Sequence, residues 1–115
     1  MEAAYLLGTG GAIGAVLRYA VSEALPADRF PWATLVVNVV GSFVLGLVAF
    51  GGAGEGAMLF VGVGACGSFT TFSSFSFAAV DLWEQGRRWT AALHVVGNLV
   101  CSLAALGLAA MLIQL

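Results

Sequence analysis

The sequence predicts an all-α membrane protein with four transmembrane helices, on the evidence of its composition and its apolar segments. Hydrophobic residues make up 61% of the 115 residues and charged residues only 9%, whereas soluble domains carry about 25% charged residues. A spanning helix needs about 20 mostly apolar residues. Four such segments follow one another at 3–24, 32–50, 58–82 and 90–115. We therefore expect a single four-helix transmembrane domain over residues 1–115.

The segments between the predicted helices are typical of membrane-interface loops. Residues 25–31 contain two prolines and a charge pair, and residues 51–56 read GGAGEG. Residues 83–89 place a tryptophan on each side of two arginines, as expected at the level of the lipid headgroups. Because Arg29, Arg87 and Arg88 lie in the loops after helices one and three, the positive-inside rule places both termini outside.

Charge and composition exclude several classes of function. The chain has four arginines, no lysine and a net charge of −2, so we expect no nucleic-acid partner. The N-terminus lacks the basic region of a cleaved signal peptide, so the first apolar segment is expected to remain as a span. With almost no residues outside the helices, any activity must be built from the helix walls. This favours a channel or transporter over an enzyme.

Three polar residues stand out in the first two spans. Arg18 lies near the end of the first span, where it would either attract an anion at a vestibule or snorkel and pair with Glu23. Asn38 lies among valines, and its amide offers two N–H donors to a ligand or to a neighbouring helix. Thr34 lies one turn before Asn38 and extends the same polar face.

The fourth span carries a polar stripe. His94, Asn98 and Ser102 are spaced by four residues and therefore share one helix face. The positions around them are nearly all apolar. A lone histidine would usually be structural, but three polar residues in register favour a lined pathway.

The segment GSFTTFSSFS at 67–76 combines six hydroxyl residues with three phenylalanines. Gly64, Gly67 and the hydroxyl residues that follow predict a break in the third helix, which is tolerated at membrane depth only inside protein or beside a cavity. A break frees carbonyls that suit a cation and N–H groups that suit an anion. The positive ring edges of Phe72 and Phe75, alternating with serines, would suit a small hard anion.

Three motifs in order resemble the Fluc/CrcB fluoride channel family over the whole chain. They are GGAIGAVLRY at 10–19, NVVGSFVLG at 38–46 and GACGSFTTFSSFS at 64–76. The resemblance implies an antiparallel, dual-topology homodimer with two fluoride pores. It also implies a structural sodium ion at the dimer centre, held by the backbone carbonyls of Gly67 and Thr70.

The resemblance also assigns roles to the polar residues. Asn38, Phe72 and Phe75 would line the pores, with Ser74 beside the path. Arg18 would border the aqueous entrance. The helix-four stripe would form a further polar track, which comprises His94, Asn98 and Ser102.

The chain departs from the family pattern at three points. Relatives often have a tyrosine followed by serines along the helix-four stripe, where this chain has His94 and Asn98, so a pH effect of His94 is conceivable. Relatives often have a glutamate where this chain has Ala78, and the nearest acid is Asp81. The arginine bias between the two sides leaves a pair of oppositely oriented homologues open as an alternative to a homodimer.

The leading hypothesis is passive, fluoride-selective export across the cytoplasmic (inner) membrane, which would lower cellular fluoride toxicity. One alternative is a small multidrug antiporter, but such a protein needs a membrane-embedded carboxylate, and the six acids all lie at or near the span ends. A second alternative is an accessory membrane subunit in which the polar residues only join helices.

Overall fold

A computed structural model describes residues 2–26 and 28–115, and every secondary-structure element in them is helical. Helix α1 spans Glu2–Ala24 and α2 spans Trp32–Phe50. The third apolar stretch, Glu55–Glu84, contains α3 at 55–69 and α4 at Ser73–Glu84, and α5 spans Arg88–Gln114. Each of the four stretches is long and apolar enough to cross a membrane, as the sequence predicts.

Prolines and glycines set the ends of these helices. Pro26 follows α1 and Pro31 directly precedes α2, because proline lacks the N–H group that a helix interior requires. The turn between α4 and α5 contains Gly86 at φ 80°, and Gly54 precedes α3 at φ 99°. Both values are in the left-handed region that glycine adopts without a steric penalty.

The α3 stretch is not a uniform α-helix. It begins as α-helix over Glu55–Ala57, widens to a π-helix over Met58–Cys66 and narrows again over Gly67–Phe69. Short π-helical stretches occur often at functional sites. Residues 70–72, called the connection here, lie outside the helices, and Thr70 is extended with φ −75° and ψ 160°.

The helices pack in two pairs, with α1 along α3 and α2 along α5. The first contact depends on Gly10 and Gly14, since a Cβ atom at either position would collide with the backbone oxygens of Phe60 and Ala65 respectively. Gly10 and Gly14 are four residues apart, a spacing of small residues that lets membrane helices approach closely. At the second contact, a Cβ on Gly46 would lie 2.7 Å from Cβ of Ala109.

Large apolar side chains cover the outside of the molecule. Val16, Leu93 and Leu103 are each more than half exposed, an arrangement that suits lipid and not water. The polar residues Thr34, Thr71, His94 and Asn98 are instead buried. The fold thus places these four polar residues on the inside.

Candidate functional site: the connection 70–72 and its two cavities

Asn38 holds the connection through both backbone groups of Thr71. Its Oδ1 accepts a hydrogen bond of 2.8 Å from the Thr71 N–H, and its Nδ2 donates one of 3.1 Å to the Thr71 carbonyl. The amide therefore binds Thr71 as a neighbouring β-strand would. The second Nδ2 hydrogen of Asn38 goes to Oδ1 of Asn98 at 3.0 Å, so an ion would have to compete with two protein acceptors for these donors.

Thr71 is the residue that sequence reasoning missed. It is buried, and its Oγ1 accepts a hydrogen bond of 3.0 Å from the Ser74 N–H at the start of α4. This is how a capping threonine satisfies one of the free N–H groups at a helix start. A threonine shortly before an apolar stretch is a sequence signal for a helix start, so Thr71, two residues before the segment SSFSF, could have indicated this cap.

Two backbone carbonyls lose their usual helical partners at this point. In a continuous α-helix the Gly67 carbonyl would accept from Thr71 N–H, and the Thr70 carbonyl from Ser74 N–H. Here the Thr71 N–H donates to Asn38 and the Ser74 N–H donates to Thr71 Oγ1. Asn38 and Thr71 together remove the helical donors of the two carbonyls to which the family resemblance assigns a cation.

The hydroxyls before the connection fix it to the rest of α3 and to α1. Ser68 Oγ contacts the carbonyl oxygen of Gly11 at 2.6 Å and that of Gly64 at 3.0 Å. Thr70 Oγ1 donates to the Cys66 carbonyl at 2.8 Å. Both hydroxyl residues therefore have backbone acceptors and are satisfied at membrane depth.

His94 and Asn98 are the buried residues of the polar stripe predicted for the fourth span, which is α5 in the structure. They extend the hydrogen-bond network from Asn38. The Asn98 Nδ2 donates to the His94 carbonyl at 2.8 Å and lies 3.2 Å from His94 Nδ1. The His94 Nε2 lies 2.9 Å from the Phe75 carbonyl. The His94 side chain is fully buried, so His94 and Asn98 contact protein groups.

Ser102, the third residue of that stripe, differs from the other two. Its buried Oγ has no hydrogen-bond partner among the described residues, and it lines the larger of two cavities. The helical spacing correctly predicts one shared face for the three residues. It does not separate His94 and Asn98, whose polar groups pair with protein groups, from Ser102, whose hydroxyl has no partner among the described residues.

The larger cavity has a volume of about 690 Å³ and lies beside the connection. Seven of the candidate residues from the sequence line it. They are Asn38, Gly67, Thr70, Phe72, Phe75, Asn98 and Ser102. The ring centroids of Phe72 and Phe75 are 5.8 Å apart, and Phe72 is 78% exposed.

A second cavity of about 590 Å³ reaches the loops after α1 and α4. Thr34, Ser73 and Ser74 line it together with Arg29 and Arg87. The Arg87 guanidinium donates to the Arg29 carbonyl, which joins the two loops. Sequence reasoning used these arginines only for orientation, because it could not bring two loops 58 residues apart into contact.

Arg18 and Ala78, two other positions that the sequence singled out, lie in different parts of the structure. Arg18 is half-buried near the end of α1 and is not among the residues that line either cavity. Ala78 lines the second cavity, and Asp81 lies there one turn later with its carboxylate accepting from Gln85 Nε2 at 2.8 Å.

The acidic residues all lie at helix ends or in loops. Each of the six is exposed in the structure. They are Glu2, Glu23, Asp28, Glu55, Asp81 and Glu84. The middles of the described spans thus contain no carboxylate.

Comparison with known proteins identifies the family. The family model described as CrcB-like protein, Camphor Resistance (CrcB), matches residues 5–110. The chain is 55% identical to fluoride-specific ion channel FluC 2 of Haloarcula marismortui, over 95% of this chain and 92% of that protein. It is 50% identical to fluoride-specific ion channel FluC 1 of Halobacterium salinarum, over 96% of this chain and 92% of that protein. It is 46% identical to fluoride-specific ion channel FluC of Agrobacterium fabrum, over 87% of this chain and 86% of that protein. With matches that span nearly all of its length, this chain belongs to the CrcB family.

Proposed function

We propose that the chain is a fluoride-selective channel through which fluoride leaves the cell passively across the cytoplasmic membrane, lowering fluoride toxicity. Its relatives are named as fluoride-specific ion channels, and moving an ion is not an enzymatic activity. The observation that carries the proposal is that one short segment, residues 70–75, contributes to both cavities. An ion passing between the cavities would move along the hydroxyls and phenylalanine rings of that segment.

The groups around this path suit fluoride better than chloride. Fluoride is small and strongly hydrated, so a pore must replace its water with strong hydrogen-bond donors. The hydroxyls of Ser73 and Ser74 line one cavity, and the unpartnered Ser102 hydroxyl lines the other. The ring edges of Phe72 and Phe75 add weak positive potential without bulk water. Chloride is a larger ion and a poorer acceptor, and gains less from such a narrow path.

The working unit in this proposal is an antiparallel, dual-topology homodimer with two pores. The support is that the larger cavity is open on the single chain, and Phe72 is largely exposed there. Non-helical backbone and free carbonyls facing lipid would be costly, so a second copy that covers this face removes the cost. The arginines in the loops after α1 and α4 keep a pair of oppositely oriented homologues as the alternative.

A sodium ion fits the carbonyls beside the connection, which we interpret as a break in the third transmembrane helix. Carbonyl oxygens are suitable ligands for hard cations. The Gly67 and Thr70 carbonyls have lost their helical donors to Asn38 and Thr71, and both residues line the larger cavity. A cation held there at the dimer centre would neutralise their negative dipole ends and join the two copies.

The small multidrug antiporter is not favoured, because proton exchange for cationic drugs requires a carboxylate inside the membrane. The six acidic residues of this chain lie exposed at helix ends or in loops. The alternative that the chain is an accessory subunit can be tested, because such a subunit would need the polar residues only for assembly.

Purified protein in liposomes provides the test. Fluoride and chloride efflux are followed with ion-selective electrodes, and we expect fluoride efflux with little chloride efflux. Phe75→Ile and Asn38→Ala should reduce fluoride efflux while the dimer still forms, and Phe50→Ile, at the exposed end of α2, is the matched control. Absence of fluoride flux from assembled protein would contradict the proposal. Loss of the dimer in the first two variants would favour the accessory subunit.

A further inference from the structure

A single chain of hydrogen bonds joins the three helices α2, α5 and α4 to the connection. It starts at the Thr71 backbone, passes through the amides of Asn38 and Asn98 and the imidazole of His94, and ends at the Phe75 carbonyl. Every step lies between 2.8 and 3.2 Å. Asn98 and His94 are almost completely buried, which limits the access of water to the bond between them.

The backbone groups along this chain determine the direction of each bond. A backbone N–H can only donate and a carbonyl can only accept, so Thr71 fixes which atom of the Asn38 amide is oxygen and which is nitrogen. The Asn38 Nδ2 then donates to Asn98, which makes the acceptor there Oδ1. The Asn98 Nδ2 faces the His94 carbonyl, an obligatory acceptor, which confirms the same orientation.

The end of the chain selects one form of the histidine. The remaining Asn98 Nδ2 hydrogen faces His94 Nδ1, which must therefore carry a lone pair. The His94 Nε2 faces the Phe75 carbonyl and must therefore carry the proton. A second proton on Nδ1 would point at an N–H group of Asn98. Only the neutral Nε2–H tautomer satisfies every partner.

We propose that Asn98 and His94 are positioning residues for the start of α4. Asn38 holds Thr71, His94 holds Phe75, and Asn98 links the two holders, so the first turn of α4 is fixed at both ends. The imidazole ring also packs on the Phe75 ring, with centroids 4.9 Å apart and planes tilted by 34°. Asn98 and His94 together determine where Phe75 lies beside the larger cavity. The effect of that position on fluoride flux rests on the function proposed above.

The tautomer can be measured directly, because His94 is the one histidine in the sequence. Protein labelled with ¹⁵N-histidine gives two imidazole signals, whose chemical shifts and attached protons identify the protonated nitrogen. We expect a single Nε2–H tautomer in the wild type. In Asn98→Leu, which removes the donor to Nδ1, we expect the Phe75 carbonyl to keep the proton on Nε2 while the Nδ1 chemical shift changes. An Nδ1–H or doubly protonated ring in the wild type at neutral pH would overturn the proposal, and so would an unchanged spectrum in Asn98→Leu.

Flux measurements test the positioning role. His94→Gln keeps an N–H donor for the Phe75 carbonyl and loses the ring, whereas His94→Phe keeps a ring and loses the donor. Because the unpaired carbonyl and Asn98 N–H remain buried, we expect His94→Phe to lower fluoride flux about tenfold or more in assembled protein. We expect His94→Gln to recover most of that loss.

The outcomes separate the two proposals. Cys101→Ala changes an exposed position on the same helix and should conduct like the wild type. Wild-type flux in His94→Phe would overturn the positioning role, as would a larger loss in His94→Gln than in His94→Phe. No fluoride flux from the wild type would contradict the proposed function and leave the tautomer measurement as the independent test of the hydrogen-bond chain.

Discussion

At the residue scale, Thr71 shows how one side chain can end one helix and begin another. Its N–H and carbonyl are both taken by Asn38, so it cannot continue α3. Its hydroxyl accepts from the Ser74 N–H and so caps α4. The polar groups of Thr71 are thereby satisfied without water, whereas the Gly67 and Thr70 carbonyls lose the N–H donors that a continuous helix would give them.

Thr71→Val tests this cap because valine keeps the shape and removes the hydroxyl. We expect a loss of about 1 kcal/mol in stability, the usual value of a helix cap, and faster hydrogen–deuterium exchange in a peptide covering residues 72–77. Thr70→Val is the matched control, since the Thr70 hydroxyl only adds a second donor to the Cys66 carbonyl. Equal exchange in the two variants would show that the Thr71 hydroxyl does not cap α4.

At the element scale, the contact between α1 and α3 requires glycine at particular positions. A Cβ on Gly14 would collide with the Ala65 carbonyl and the Ser68 hydroxyl. The contact in turn places Ser68 against the Gly11 carbonyl, just before the connection. Helix packing more than 50 residues apart in sequence thus supports the candidate site.

Gly14→Ala should therefore destabilise the protein, whereas Gly8→Ala on the same helix should not, because a Cβ at Gly8 meets nothing within 4 Å. Inserting a methyl group into a tight contact costs about 1–3 kcal/mol, and Ala instead of Gly slightly favours an exposed helix. The midpoints of thermal unfolding of the two variants in detergent, monitored by size-exclusion chromatography, compare their stabilities. Similar midpoints for both variants would show that the close approach of α1 and α3 does not depend on Gly14.

The sequence predicted the elements well and the site only in part, for reasons visible in particular residues. The predicted second span, 32–50, matches α2, because prolines and glycines flank it. The bond between Asn38 and Thr71 joins residues 33 apart, and that between Asn38 and Asn98 joins residues 60 apart. Periodicity assigns a residue to a helix face but not to a partner on another helix, so the internal pairing of His94 and Asn98 could not be predicted.

At the scale of the whole molecule, charge is distributed unevenly between the two ends. Arg29 and Arg87 lie in the loops after α1 and α4, and Arg88, the first residue of α5, packs over the Trp83 ring at 4.6 Å. Four spans put the two termini on the same side, opposite these loops. The proposed dual topology therefore has to hold despite a bias of three arginines toward one orientation.

Reporter fusions at the C-terminus measure this bias. A phosphatase is active only outside the cytoplasm and a fluorescent protein folds only inside, so dual insertion predicts activity of both. Because arginines hold their loops in the cytoplasm, Arg88→Gln should move the C-terminus inward, raising fluorescence and lowering phosphatase activity. Arg88→Lys keeps the charge and should leave the ratio unchanged. Phosphatase activity alone, unaffected by Arg88→Gln, would establish one fixed orientation, and an antiparallel dimer would then require an oppositely inserted homologue as the partner.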